Sequence, residues 1–296
     1  MRQRTIKNSI EIVGIGLHKG LPVNIRLEPL EANMGIVFYR SDENVSIKLD
    51  INSVVDTKMA TVIGENGIVI STIEHLLSAV YAYGIDNLKI VLDNDEVPIL
   101  DGSSSGYCML IEEAGIKDLN ISKKIIKIKK DIEIKDNSKI VKLEPSSKIV
   151  YDFKINFEHP LIGEQHYCFD YCLEDYKSKI SKARTFGFLN EVQYLRSIGL
   201  AKGGSLDNAI VLDNHSILNK DGLRYYDEFV RHKILDAIGD MSLLGYMVIG
   251  KYKSYAGSHH LNHLLTKKLL ESKDSYEIID LDNSEKESEL FKTLYE

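Results

Sequence analysis

The hydrophobic pattern is most regular at one stretch. Between Asp227 and Asp240, then on to Met241, the residues Val230, Ile234, Ala237, Ile238 and Met241 recur at i, i+4, i+7, i+8 and i+11, one apolar stripe of a helix. Opposite the stripe lie His232, Asp236 and Asp240, spaced by four, and Gly239 leaves space on the same polar side. A second stripe, Ile73, Leu76, Leu77 and Val80, predicts a helix over 71–82. Ser71 and Glu74 have the spacing of a capping box, and His75 points away from the stripe, as a surface histidine would.

Alternating and β-branched runs predict strands at Ile10–Val13, Val23–Leu27, Asn87–Leu92, 148–157, 166–173, Tyr246–Tyr252 and Tyr276–Leu281. Pro98–Ser103 reads as a turn offering Asp101 or Ser103 as the N-cap of a helix through about Glu113. Residues 117–124 read as a linker. Lys124–Ile134 reads as one strand whose outer lysines protect a sheet edge. A helix at Leu189–Ile198, a turn at Lys202–Ser205 and a strand at Asn208–Leu212 predict an inserted βαβ-like unit. Ser258 is placed to cap a helix through about Glu271, and the acidic tail beyond Ser272 is expected to fray at its end.

Residues 72–113 read helix, strand, helix, and residues 228–271 read helix, strand, helix again, each after β-rich sequence. Two similar α+β halves follow. The length agrees, because 296 residues exceed what one core usually holds. The expected division is 1–120 and 124–296, with the insert at about 185–219 in the second half.

Composition then removes several function classes. A net charge of −7 argues against generic nucleic-acid binding. No window reaches the ~18 apolar residues of a membrane span, so stable membrane insertion is not expected. The basic start, Met1–Lys7, is followed by no apolar segment of a secretory signal. Cys108, Cys168 and Cys172 are too few and too unevenly spaced for a disulfide framework, and they fit a reducing cytosol. His166, Cys168 and Cys172 would share a strand face, but a fourth ligand and the C-x₂-C spacing of a structural zinc site are missing. The Gly-rich run Gly14–Gly20 joins strand to strand, so it supports neither a P-loop nor a dinucleotide fingerprint. His18 and Lys19 could meet a phosphate there, although a plain hairpin is the simpler reading.

Residues four apart on a helix lie one above the other, so His232 and Asp236 can grip one metal ion without bending the backbone. Alone, the pair reads as an ordinary polar face. His75 changes that, because it sits on the helix of the first half equivalent to the His232–Asp236 helix of the second. If the halves face each other, these three side chains meet at the interface, a common place for a small-molecule site. Three protein ligands with an open position is the layout of a catalytic zinc site. Glu74 could take a proton from water, His259 could supply one to a departing amine, and Asp240 could hold that imidazole. Thr185 could donate to a developing oxyanion. Phe186, Phe188, Leu189, Val192, Leu195 and Leu206 either line something or form a small satellite core. The residues alone support metal-assisted hydrolysis without naming the bond.

A set of motifs in order adds a family resemblance. It comprises Gly14–Gly20, Ser71-Thr72-Ile73-Glu74-His75-Leu76, Gly84-Ile85-Asp86-Asn87 and Pro98–Ser103. It continues with Ala183–Phe188, Gly203-Gly204-Ser205, Asp221–Arg224 and Arg231–Asp240. From Arg4 to about Leu270 the chain resembles the zinc-dependent UDP-3-O-acyl-N-acetylglucosamine deacetylases of bacterial lipid A synthesis. The resemblance implies two similar two-layer α/β sandwich domains, each a sheet carrying two helices and a small insert, with the active site between them. It implies hydrolysis of the N-acetyl group of an acylated UDP-sugar, with release of acetate. His75, His232 and Asp236 would hold one Zn²⁺ per chain, with Fe²⁺ as the alternative in the cell. Glu74 would be the general base, His259 the acid with Asp240 beside it, and Thr185 the oxyanion donor. Lys233 would lie near the substrate, and the insert would supply the tunnel for the acyl chain, with Phe186, Phe188, Gly204 and Leu206 against the substrate. A cytoplasmic monomer is implied, without a fused dehydratase domain.

Two positions depart from the family pattern. The final motif, usually Ser-Gly-His, reads Gly257-Ser258-His259 and is followed by His260, which is the alternative acid. Ala256 stands where a lysine is frequent, which removes a diphosphate contact.

Overall fold

Apolar and polar residues alternate along Pro22–Pro29, so Val23, Ile25 and Leu27 are buried on one face and their neighbours face water. This strand pairs antiparallel with Ile10–Ile15, making the expected hairpin. The computed structural model describes residues 1–295. The first eight strands are β1 (Arg2–Ile6), β2 (Ile10–Ile15), β3 (Pro22–Pro29), β4 (Ile36–Arg40), β5 (Val45–Lys48), β6 (Val54–Asp56), β7 (Val62–Glu65) and β8 (Ile68–Ile70). Then come α1 (Glu74–Ala82), β9 (Leu88–Leu92), α2 (Ser105–Ala114) and β10 (Ile116–Ser122). The next stretch holds β11 (Lys124–Ile128), β12 (Ile132–Asp136), β13 (Lys139–Glu144), β14 (Ile149–Phe157), β15 (Gly163–Asp170) and the short α3 (Leu173–Asp175). The insert is β16 (Phe186–Phe188), α4 (Leu189–Ser197) and β17 (Ile210–Leu212). The chain closes with α5 (Glu228–Met241), β18 (Met247–Tyr255), α6 (His259–Glu271), β19 (Tyr276–Asp280) and α7 (Glu285–Thr293).

The fold is α+β. One mixed sheet has the order β2-β3-β9-β4-β5, beside a three-stranded sheet β6-β7-β8 and the ribbon β1-β10. The largest sheet has the path β12-β13-β18-β11-β19, with β14 also on β18 and β15 on β14. Among the described residues, no strand ladder joins residues 1–122 to residues 124–295. A helix pair connects them instead: α1 packs along α5, and within the second part α5 packs along α6. The order α1-β9-α2 recurs as α5-β18-α6, the repeat read from the sequence.

The α5 stripe behaves as expected, with Val230, Ile234, Ala237, Ile238 and Met241 all buried. Its polar side is buried too, because α1 covers it. The space beside Gly239 is taken by the neighbouring helix: a Cβ there would fall on the Glu74 carbonyl. Glycine thus permits the close approach of α1 and α5.

Several local expectations need correction. No capping box forms at α1: the N-cap position is Ile73, and no side chain caps the helix. The Glu74 carboxylate turns away to accept from the backbone N–H of Thr61, at 3.1 Å. His75 is not on the surface but 5% exposed, since α1 is buried on all sides. The supposed linker 117–124 is mostly β10, paired with β1. Lys124–Ile134 is two strands, broken where the N–H groups of Lys129 and Lys130 donate to the Ser275 carbonyl. Its lysines guard no edge at β11, which is paired on both sides, and Lys127 reaches Glu287 at 2.8 Å. The tail does not fray within the described residues. Helix α7 docks through fully buried Phe291.

The insert follows the expected βαβ plan, with β16 and β17 parallel. It is tied to the first hairpin, because the N–H groups of Lys202 and Gly203 donate to the carbonyls of His18 and Leu17, each at 3.0 Å. Gly203 is required at this contact, where a Cβ would meet the Gly16 carbonyl. The Gly14–Gly20 run therefore serves chain packing.

Candidate metal centre

His75 is the second residue of α1, and His232 and Asp236 are one turn apart on α5. The close α1–α5 contact brings one donor atom from each within 4.8 Å of the others. Among the described residues, no other group of three His, Cys, Asp or Glu side chains is so placed. Asp236 Oδ1 lies 3.5 Å from His75 Nε2 and 3.3 Å from His232 Nε2. The two rings meet edge to face, with centroids 5.0 Å apart.

The donor set fits a cation. The Ala183 carbonyl, 3.0 Å from His232 Nδ1, can only accept, so Nδ1 carries the proton and Nε2 offers its lone pair. Burial pushes His232 down to about 3, which keeps the ring neutral. Burial opposes the charge on Asp236, but His232 and Lys233 outweigh it and hold the carboxyl well below the usual range. Asp236 Oδ1 is nevertheless a buried oxygen without a hydrogen-bond partner, as is the nitrogen His75 Nδ1. An anionic oxygen left unpaired between two imidazoles is costly unless a cation completes the group. The other oxygen, Oδ2, accepts from Lys233 Nζ at 3.0 Å.

Glu74 and His259 adjoin this group. Glu74 Oε1 is 3.8 Å from His259 Nε2, and His259 Nδ1 is 2.8 Å from Asp240 Oδ2. Burial raises the Glu74 carboxyl. Burial works to lower His259, but the carboxylates of Asp240 and Glu74 outweigh it and push the ring up to about 10. His260, the alternative, points elsewhere: its exposed Nδ1 is 3.2 Å from Thr57 Oγ1. Ser258 caps α6 as expected by accepting from the Leu261 N–H, which fixes His259 at the first helical position.

Next to the ligand group, Phe186 reaches within 6.4 Å of the His232 ring. It also lines a cavity of about 470 Å³ whose walls include Leu17, Met59, Val192, Leu195 and Leu206. Thr185 and Gly204 lie on the same wall. Lys233 Nζ is 5.7 Å from the Phe186 ring centre. Phe188 does not line this cavity; its ring packs on Phe157 and His159. The His166–Cys168–Cys172 idea gathers no site: His166 pairs with Asp152 at 2.6 Å, and Cys172 lies beyond the end of β15.

Sequence reasoning missed two neighbours. Thr61 Oγ1 donates to Asp240 Oδ1 at 2.6 Å, and Asn262 Nδ2 donates to Asp240 Oδ2 at 2.8 Å. Asn262 stands three residues after His259 on α6, a spacing that could have signalled it. Thr61 lies 179 positions from Asp240 and carries no such signal.

The family model described as LpxC, UDP-3-O-acyl N-acetylglycosamine deacetylase, matches residues 3–271. A UDP-3-O-acyl-N-acetylglucosamine deacetylase of Aliarcobacter butzleri is 69% identical over 296 residues, covering 100% of this chain and 98% of that protein. Its namesake in Nitratiruptor is 64% identical over 97% of this chain and 96% of its own length. The one in Helicobacter pylori is 58% identical, with 99% of each chain covered. The chain belongs to the UDP-3-O-acyl N-acetylglycosamine deacetylase family.

Proposed function

We propose that this chain hydrolyses the N-acetyl group of a UDP-3-O-(3-hydroxyacyl)-N-acetylglucosamine, releasing acetate early in lipid A synthesis. The observation that carries the reading is the buried His75–His232–Asp236 group, with Glu74 and His259 beside it and an apolar cavity joined to it through Phe186. His75, His232 and Asp236 hold the metal, which we take to be Zn²⁺, with Fe²⁺ as the cellular alternative. Two nitrogens and one carboxylate oxygen suit either ion. Bound there, the metal supplies Lewis acidity, which acidifies water and polarises a carbonyl.

Glu74 Oε1 accepts a proton from the attacking water as its oxygen adds to the acetyl carbon. Thr185 Oγ1 donates to the carbonyl oxygen as charge develops on it. His259 Nε2 gives its proton to the amide nitrogen, the C–N bond breaks, and acetate and the sugar amine part. Asp240 steadies the imidazolium before transfer. Lys233 lies on the substrate side of Asp236, and the insert cavity takes the acyl chain against Phe186, Gly204 and Leu206.

The lack of any ladder across residues 122–124 supports a division into two domains, 1–120 and 124–296, with the insert at about 185–219. Among the described residues, no helix is long and apolar enough to cross a membrane, and all three cysteines are free thiols. Both support a cytoplasmic chain, which we take to be a monomer. The test is acetate release from UDP-N-acetylglucosamines carrying 3-O-acyl chains of graded length. Activity that rises with chain length to an optimum supports the reading. Equal activity on the unacylated sugar would point to a different amidohydrolase.

A further inference from the structure

We propose that Thr61 and Asn262 are positioning residues for the His259–Asp240 pair, and that Thr61 also fixes that pair relative to Glu74. The inference rests on the deacetylase reading above. Asp240 is 1% exposed, and both of its oxygens are loaded by donors from outside α5. Thr61 Oγ1 holds Oδ1 at 2.6 Å, while His259 Nδ1 and Asn262 Nδ2 each hold Oδ2 at 2.8 Å. A carboxylate turns easily about its last torsion. With one partner it could follow the imidazole. Two further charge-assisted hydrogen bonds fix its plane and therefore the ring it supports.

The Asn262 amide is itself oriented. The Tyr252 hydroxyl donates to its Oδ1 at 2.6 Å, which leaves Nδ2 for Asp240. The reverse orientation would set an acceptor against the carboxylate.

Thr61 acts twice. Its hydroxyl holds Asp240 on α5, and its backbone N–H holds Glu74 Oε2 on α1 at 3.1 Å. One residue just before β7 thus fixes both carboxylates that flank His259. A side chain serving only to satisfy buried polar groups would affect folding but not turnover per folded molecule.

The substitution Thr61→Val keeps the shape and the N–H and removes the hydroxyl, while Thr61→Ser retains a hydroxyl. We expect Thr61→Val to bind metal fully and keep KM, with kcat lowered about ten- to hundredfold, the scale of a small misplacement of a reacting group. Thr61→Ser should recover most of kcat. In the metal-free chain, the Nδ1–H signal of His259 in a histidine-labelled NMR spectrum should move in Thr61→Val and return in Thr61→Ser. Tyr252→Phe, which releases Asn262, should move the same signal and serves if Thr61→Val does not fold. Wild-type kcat with an unmoved His259 signal in the folded variants would overturn the proposal, as would losses that only follow the folded fraction. Wild-type protein that releases no acetate would instead sink the deacetylase reading, and the NMR arm would still decide the positioning.

Discussion

At the scale of single residues, burial and neighbouring carboxylates have moved the site's side chains away from their ordinary behaviour. Burial raises the Glu74 carboxyl, the direction that favours its proposed role as proton acceptor. Glu74→Gln should keep the metal and lose activity by about 10²-fold or more; full activity would remove Glu74 as the base. The two histidines make opposite contributions to stability in the metal-free chain. His232 falls from 6.5 to about 3 on folding, so its contribution is intact above pH 6.5 and is lost as pH falls toward 3. His259 rises from 6.5 to about 10, so its contribution is complete below pH 6.5 and is lost as pH rises through 10. Melting temperature in chelator should therefore peak near pH 6.5 as far as these two groups decide it. His232→Gln should flatten the acid limb and His259→Gln the alkaline one. An acid limb unchanged in His232→Gln would contradict the assignment.

At the scale of elements, the α1–α5 contact assembles the ligand group. Gly→Ala inside a helix ordinarily stabilises by about 1 kcal/mol. At Gly239 the sign should reverse, because the added methyl meets the Glu74 carbonyl. Overpacking of this kind costs about 1–3 kcal/mol, and spreading the helices should also weaken metal binding. Thermal melts and metal titration of Gly239→Ala check both. The i, i+4 spacing of His232, Asp236 and Asp240 was legible, because one helix face carries all three. The burial of that face was not, since covering it depends on α1, far away in sequence. Helix α7 escaped notice because it buries only Glu287 and Phe291 and reads as an acidic tail. The break after β11 was hidden for a related reason: the chain leaves the middle of a sheet and returns at its edge, and no local periodicity records that.

At the scale of the whole molecule, the first and second parts of the chain are joined by more than the site. Fully buried Lys123, just ahead of β11, reaches Asp86 Oδ1 at 2.5 Å and the Gly84 carbonyl at 3.0 Å, in the turn after α1. Removing one partner of a buried ion pair leaves the other uncompensated, at a cost of about 3–5 kcal/mol. Asp86→Ala should lower denaturant stability on that scale, while Lys123→Met, which removes the buried charge, should cost less. The reverse order would contradict a buried pair. The helix–strand–helix order that occurs twice along the chain was legible in the sequence. That its two copies meet along α1 and α5 could be inferred only by supposing that His75 and Asp236 share a metal. The measurement that tests the account most directly is metal content alongside acetate release from an acylated UDP-N-acetylglucosamine, for wild type and Asp236→Ala. One equivalent of zinc or iron with acetate release, both diminished in the variant, is the predicted result. A wild-type chain that binds no metal, or a variant that keeps both metal and activity, would contradict it.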